Sequence, residues 1–127
     1  MRRYGPPLAL MALIFFFSAQ PDLNSGLGVW DTVGRKLIHA GTYGALWFLW
    51  WRALGYGNLL AAVAITLLYA AGDEYHQTFT EGRHGTPVDV AIDAAGVAIA
   101  VLLARRGRLG GRRRRAGGPP PAAARRR

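Results

Sequence analysis

Residues 58–77 read NLLAAVAITLLYAAGDEYHQ: fifteen residues without a charge, then Asp73, Glu74, His76 and Gln77 in quick succession. A helix needs about 20 residues to cross the hydrocarbon core of a bilayer, and this stretch reaches that length only if its polar end belongs to the helix. Ionisable groups there are costly against lipid, so they are expected to face protein or water. The stretch therefore reads as a membrane span that delivers polar groups near one face of the bilayer.

Three further apolar blocks follow the same plan: Tyr4 to Ala19, Leu37 to Leu54 and Pro87 to Ala104. Arg2 and Arg3 ahead of the first block resemble a signal peptide, but Phe17 occupies the small-residue position before a cut after Ala19, so the block reads as an uncleaved span. Gly55-Tyr56-Gly57 is a tight turn, and residues 20 to 35 form a longer loop. The expected fold is an all-α membrane protein, a four-helix transmembrane bundle over residues 1–106. Residues 107–127, almost entirely Arg, Gly, Pro and Ala, are expected to be a disordered cytoplasmic tail.

The net charge of +9 belongs to that tail, which with its approach holds ten arginines from Arg105 onward. With the N-terminus inside, thirteen Lys and Arg fall on the cytoplasmic side and only Arg35, Lys36 and Arg83 outside. That asymmetry predicts both termini inside a bacterial inner membrane, with Trp47, Trp50 and Trp51 at the inner interface. The arginine runs have no interleaved aromatics, so the expected partners are membrane lipids and not nucleic acid. With no cysteine, thiolate metal sites and cysteine nucleophiles are excluded.

At about 1.5 Å per helical residue, Ser18, His39, Asp73 and Asp93 all lie ~18–23 Å above the inner boundary. Four spans each bring a polar group to one depth. Lys36, His39 and Tyr43 share a face of the second span, Asp73 and Gln77 a face of the third, and Asp89, Asp93 and Gly96 a face of the fourth, where the glycine permits close helix approach. Asp22, Asp31, His76 and His84 read as solvated loop or helix-end residues.

The order Ser18-Ala19-Gln20-Pro21, Lys36-x-x-His39 with Tyr43, Asp73-Glu74-x-x-Gln77-x-Phe79, Gly82-Arg83, Asp89 and Gly96 resembles the VanZ-like membrane protein family. The resemblance runs from about Phe15 to Gly96, with Asp93 where the family usually has Asn and Thr86 where it often has Ser. It implies a bacterial envelope protein, related to one associated with low-level resistance to teicoplanin. It carries no settled biochemical activity with it.

Two kinds of function are compatible with these residues. In one, an outward-facing pocket binds an amphiphilic envelope molecule, such as a lipid-linked or cell-wall precursor or a lipoglycopeptide, through Ser18, Gln20, Lys36, Tyr43, Gln77, Arg83, Asp89 and Asp93. In the other, His39, Asp73 and Glu74 are catalytic, with His39 as general base, Ser18 as nucleophile and Asp73 or Asp93 as orienter of a membrane hydrolase or transferase. Lys36 serves either the ligand or Asp73 and Glu74 as a counter-ion. His39 with Asp73, Glu74 and Asp93 offers donors for a divalent metal, but no His-x-x-x-His or comparable spacing supports one, so neither a metal nor a cofactor is expected. A transporter or proton relay ranks last, since four spans without an internal repeat make a poor monomeric carrier.

Overall fold

The computed structural model describes residues 2–20, 26 and 28–116, with side chains as far as residue 107. Four helices make up the described residues: α1 (Gly5–Ser18), α2 (Val29–Ala53), α3 (Leu59–Gln77) and α4 (Pro87–Ala116). No strand occurs among them. Three of the expected blocks keep their boundaries to within a residue or two at the starts.

Two boundaries differ from the sequence reading. The loop expected to reach residue 35 ends by Gly28, whose φ of +60° breaks the chain just before Val29. Asp31 then lies in the first turn of α2, where an acid complements the exposed amides of a helix start. At the other end, α4 continues to Ala116 instead of giving way to disorder at residue 107. Arginine is a good helix former, and a run of it extends a helix already nucleated by an apolar segment.

The other ends have local causes. The Asn58 side chain accepts the Ala61 amide at 2.9 Å and so caps α3. Pro87 sits in the first turn of α4, where its missing amide costs nothing. Thr86 and Asp89 form the reciprocal cap: the Asp89 amide donates to Thr86 Oγ1 at 3.3 Å, and Thr86 Oγ1 donates to Asp89 Oδ2 at 2.6 Å.

Helices α1 and α3 run in one direction and α2 and α4 in the other. The Tyr69 hydroxyl donates to the Met11 carbonyl at 2.6 Å and fixes α1 beside α3. On α2 and α4 the tightest approach is at Gly96, where a Cβ would overlap the Ala40 carbonyl. Gly44, one turn further along α2, faces the Gly96 carbonyl and Ala100 in the same seam. Only residues without bulk allow two helix backbones this close.

The apolar core is small: Tyr43, Leu46, Trp47 and Trp51 of α2 pack with Ile14, Ala62, Ala70 and Val97. Trp47 and Trp51 stack on each other with ring centroids 5.2 Å apart and are buried in this core. Spaced four apart, they fall on the inward face of α2. Trp50 is half-buried beside Tyr4. By contrast, Leu13, Phe16, Phe17, Leu60, Leu68 and Leu103 are each more than half exposed, while Ser18, Asp73, Glu74, Gln77 and Asp93 are buried. Buried carboxylates beside the apolar core, with large apolar side chains exposed around them, are unusual for a water-soluble domain, where Asp and Glu are seldom fully buried.

The segment Pro87–Gly107 is long and apolar enough to cross a membrane, with a mean hydropathy of 2.0 over its best 18-residue window. Helix α2 carries Asp31, Arg35, Lys36 and Arg52 and α3 carries Asp73 and Glu74 within their lengths, and these charges lower their mean hydropathy.

Candidate functional site

The polar residues gather at one end of the bundle in two adjoining groups. Asp73 organises the first. Its Oδ2 accepts the Ser18 hydroxyl at 2.8 Å, the Tyr43 hydroxyl at 2.9 Å and the Gln77 amide at 3.1 Å. Three donors from α1, α2 and α3 thus meet on one carboxylate oxygen, and the group ties those helices together.

The second group centres on Asp93, with Glu74 and His39. His39 Nδ1 lies 3.7 Å from Asp93 Oδ1. One donor atom from each of His39, Glu74 and Asp93 falls within 4.8 Å of the other two. Asp93 is only 1% exposed, and neither of its carboxylate oxygens has a hydrogen-bond partner among the described residues. Glu74 is buried beneath the connection between α3 and α4, where a Cβ on Gly85 would overlap the Glu74 carbonyl.

At the mouth of the site, Lys36 Nζ donates to Asp89 Oδ1 at 2.9 Å. Lys36 is therefore the counter-ion of Asp89, and not of Asp73 or Glu74 as the spacing had allowed. The pair is partly solvated, so its worth is on the order of 1 kcal/mol or less. Because Asp89 also caps α4 through Thr86, the ion pair fixes α2 against the first turn of its neighbour.

These side chains line a polar cavity of about 250 Å³ that includes Lys36, His39, Glu74, Arg83, Asp89 and Asp93. A second cavity of about 370 Å³ lies between α1 and α2, walled mainly by Leu10, Leu13, Ile14, Phe17 and Ile38. Arg35, His39 and Arg83 line both. Leu13, Phe17 and Ile38 are more than half exposed, so the apolar cavity opens sideways on the bundle surface. The Arg83 Nε is buried without a hydrogen-bond partner among the described residues.

Most of the expected site residues meet here, but their partnerships differ from the sequence reading. Ser18 donates to Asp73 and makes no hydrogen bond with His39 among the described residues, so the Ser–His–Asp arrangement is not formed. Gln20 turns back to the Phe16 carbonyl at 3.3 Å and lines neither cavity. His76 is half-buried and stacks on Phe15 with centroids 4.4 Å apart, which ties α3 to α1 instead of leaving it in solvent. His84, also expected to be merely solvated, borders the polar cavity, and so does Thr32. Arg35 is the residue that sequence reasoning missed. Its signal was its place one residue before Lys36, in a stretch expected to lie outside and otherwise poor in cations. Asp22 lies outside the described residues.

The model of the VanZ/LLP1 family matches residues 6–108, from the first turn of α1 through the apolar part of α4. The chain belongs to this family. Together with the apolar segment Pro87–Gly107, membership of the VanZ/LLP1 family makes this a membrane-associated protein. No curated protein and no solved structure gives a match.

Proposed function

We propose that this VanZ-family chain is a four-span protein of the bacterial inner membrane, both termini cytoplasmic, that captures an amphiphilic envelope molecule from the outer leaflet. The observation that carries this reading is the shared wall between the two cavities. Arg35, His39 and Arg83 stand where a polar cavity meets an apolar one that opens sideways. A ligand with an anionic head and a hydrocarbon chain fits that division: the chain lies along Leu13, Phe17 and Ile38, and the head meets Arg83, Lys36 and the buried acids. Exposed large apolar side chains on all four helices, with carboxylates turned inward, favour lipid around the bundle. Ser18, Tyr43 and Gln77 hold Asp73 in place behind the pocket, and Asp89 and Asp93 complete its polar wall. Lipid-linked or cell-wall precursors and lipoglycopeptides have this chemistry. A role in resistance to teicoplanin follows if the captured molecule is the drug or its target.

The test is mass spectrometry of lipids and small molecules that co-purify with the wild-type protein and with an Arg83→Ala, Glu74→Gln double variant. The expected result is one class of amphiphile enriched on wild type alone. Identical profiles would overturn the reading.

A second reading, an enzyme acting on the same ligand, is favoured by one feature: the His39 imidazole lies beside the buried Asp93 on the wall of the polar cavity. There His39 would take a proton from a water or hydroxyl as it attacks the head group and return it to the leaving oxygen, with Asp93 orienting the ring. Turnover of the co-purified amphiphile by wild type, and its loss in His39→Ala, distinguishes enzyme from binding protein.

A further inference from the structure

We propose that His39, Glu74 and Asp93 bind one divalent transition-metal ion of the Zn²⁺ or Mn²⁺ class. Their donor atoms come from three helices, α2, α3 and α4, yet all lie within 4.8 Å of one another. Two donors that share a tetrahedral ion at ~2.1 Å stand ~3.4 Å apart, so the three side chains need only a small inward movement to close on a cation. The 3.7 Å between His39 Nδ1 and Asp93 Oδ1 is too long for a hydrogen bond but near that spacing.

The state of Asp93 is an independent sign of a ligand. Its carboxylate is buried at 1% exposure and faces His39 and Glu74 across the cavity wall, with neither oxygen hydrogen-bonded. A buried carboxylate left without donors is costly. Four residue positions before Gln77, Asp73 has the opposite arrangement, with three donors on one oxygen. One oxygen of Asp73 is thus filled by protein donors and only its Oδ1 is left without one, whereas both oxygens of Asp93 have acceptor capacity and no donor among the described residues to fill it.

Charge and donor type agree with the assignment. A divalent ion balances the carboxylates of Glu74 and Asp93, while Lys36 remains paired with Asp89. One imidazole nitrogen with two carboxylate oxygens suits zinc or manganese, and three protein ligands leave positions open for water or for an oxygen of a bound head group. Gly85 contributes by letting the loop backbone close over Glu74, which limits the motion of that ligand.

The inference goes beyond capture of an amphiphile and is tested without one, so either reading can fail alone. Untagged full-length protein in detergent is stripped with chelator, then titrated separately with Zn²⁺ and Mn²⁺, and retained metal is counted by mass spectrometry after desalting. The expected result is one ion per wild-type chain, at least tenfold weaker binding in Asp93→Asn and Glu74→Gln, and unchanged binding in His76→Ala, whose ring stacks on Phe15 and lines neither cavity. Circular dichroism of the metal-free variants checks that they remain folded. Retention of no ion by wild type would overturn the proposal whatever the variants do. Equal affinity in wild type and both carboxylate variants would overturn it as well, by assigning the ion to another place on the surface.

Discussion

Lys36 Nζ stands 2.9 Å from Asp89 Oδ1, and one helical turn along α2 the Ala40 carbonyl lies against the backbone of Gly96. An ion pair and a glycine contact therefore register the same two parallel helices. Asp89 carries two duties, the pair and the Thr86 cap, whereas Lys36 carries one. Asp89→Ala is accordingly expected to lower the melting temperature in detergent more than Lys36→Met, with the cap alone worth about 1 kcal/mol. Equal shifts would mean that the cap contributes nothing.

The seam itself is open to a size test. A Cβ at position 96 overlaps the backbone of Ala40, which cannot rotate away as a side chain would. Gly96→Ala should cost on the order of 1–3 kcal/mol, the usual range for overpacking. Gly41→Ala, whose new methyl meets nothing within 4 Å, should be close to neutral. Thermal unfolding of the two variants side by side decides the matter.

Asp73 and Asp93 are expected to respond differently to neutralisation. Removing the carboxylate in Asp73→Leu leaves the Ser18, Tyr43 and Gln77 donors without their acceptor, at about 1–3 kcal/mol for each that stays buried and unpaired. Asp93→Asn breaks no hydrogen bond made by the described residues and should melt at or above the wild-type temperature in metal-free buffer. A large loss of stability in Asp93→Asn would show that its carboxylate has a structural duty.

Function should separate from folding at the cavity wall. His39→Ala, Glu74→Gln and Arg83→Ala are expected to yield inserted, helical protein that retains less than a tenth of the wild-type co-purifying ligand. Ending the chain after Gly107 removes only residues beyond the matched apolar segment and leaves ligand capture intact. If the truncated protein lost the ligand and the three wall variants kept it, the site would have to be sought near the C-terminus.

The meeting of Ser18, Tyr43, His39, Asp73 and Asp93 was legible in the sequence because the rise of a helix is constant, so positions counted from the basic boundaries translate into depth. The close contact at Gly96 was legible for a similar reason, since it shares a face with Asp89 and Asp93. Partner choice was not. Whether Lys36 meets Asp89, Asp73 or Glu74 depends on the rotation of α2 about its own axis, which helical spacing within one segment leaves undetermined. His39, Glu74 and Asp93 were legible only as part of a looser set with Asp73, because three helices contribute one residue each and no local spacing separates that trio from Asp73. The extension of α4 to Ala116 was missed because a Gly-containing arginine tract reads as disorder by composition, although arginine itself favours a helix.

Gly85 has a final consequence for how tightly anything can be held. The short connection from Gly82 to Thr86 sits directly on the Glu74 carbonyl, and that seat admits no side chain at position 85. Arg83 is therefore borne on backbone that is already in place before a ligand arrives. If Arg83 meets a ligand as proposed, little loop entropy remains to be lost on capture, and more of each contact made by the guanidinium would appear as affinity.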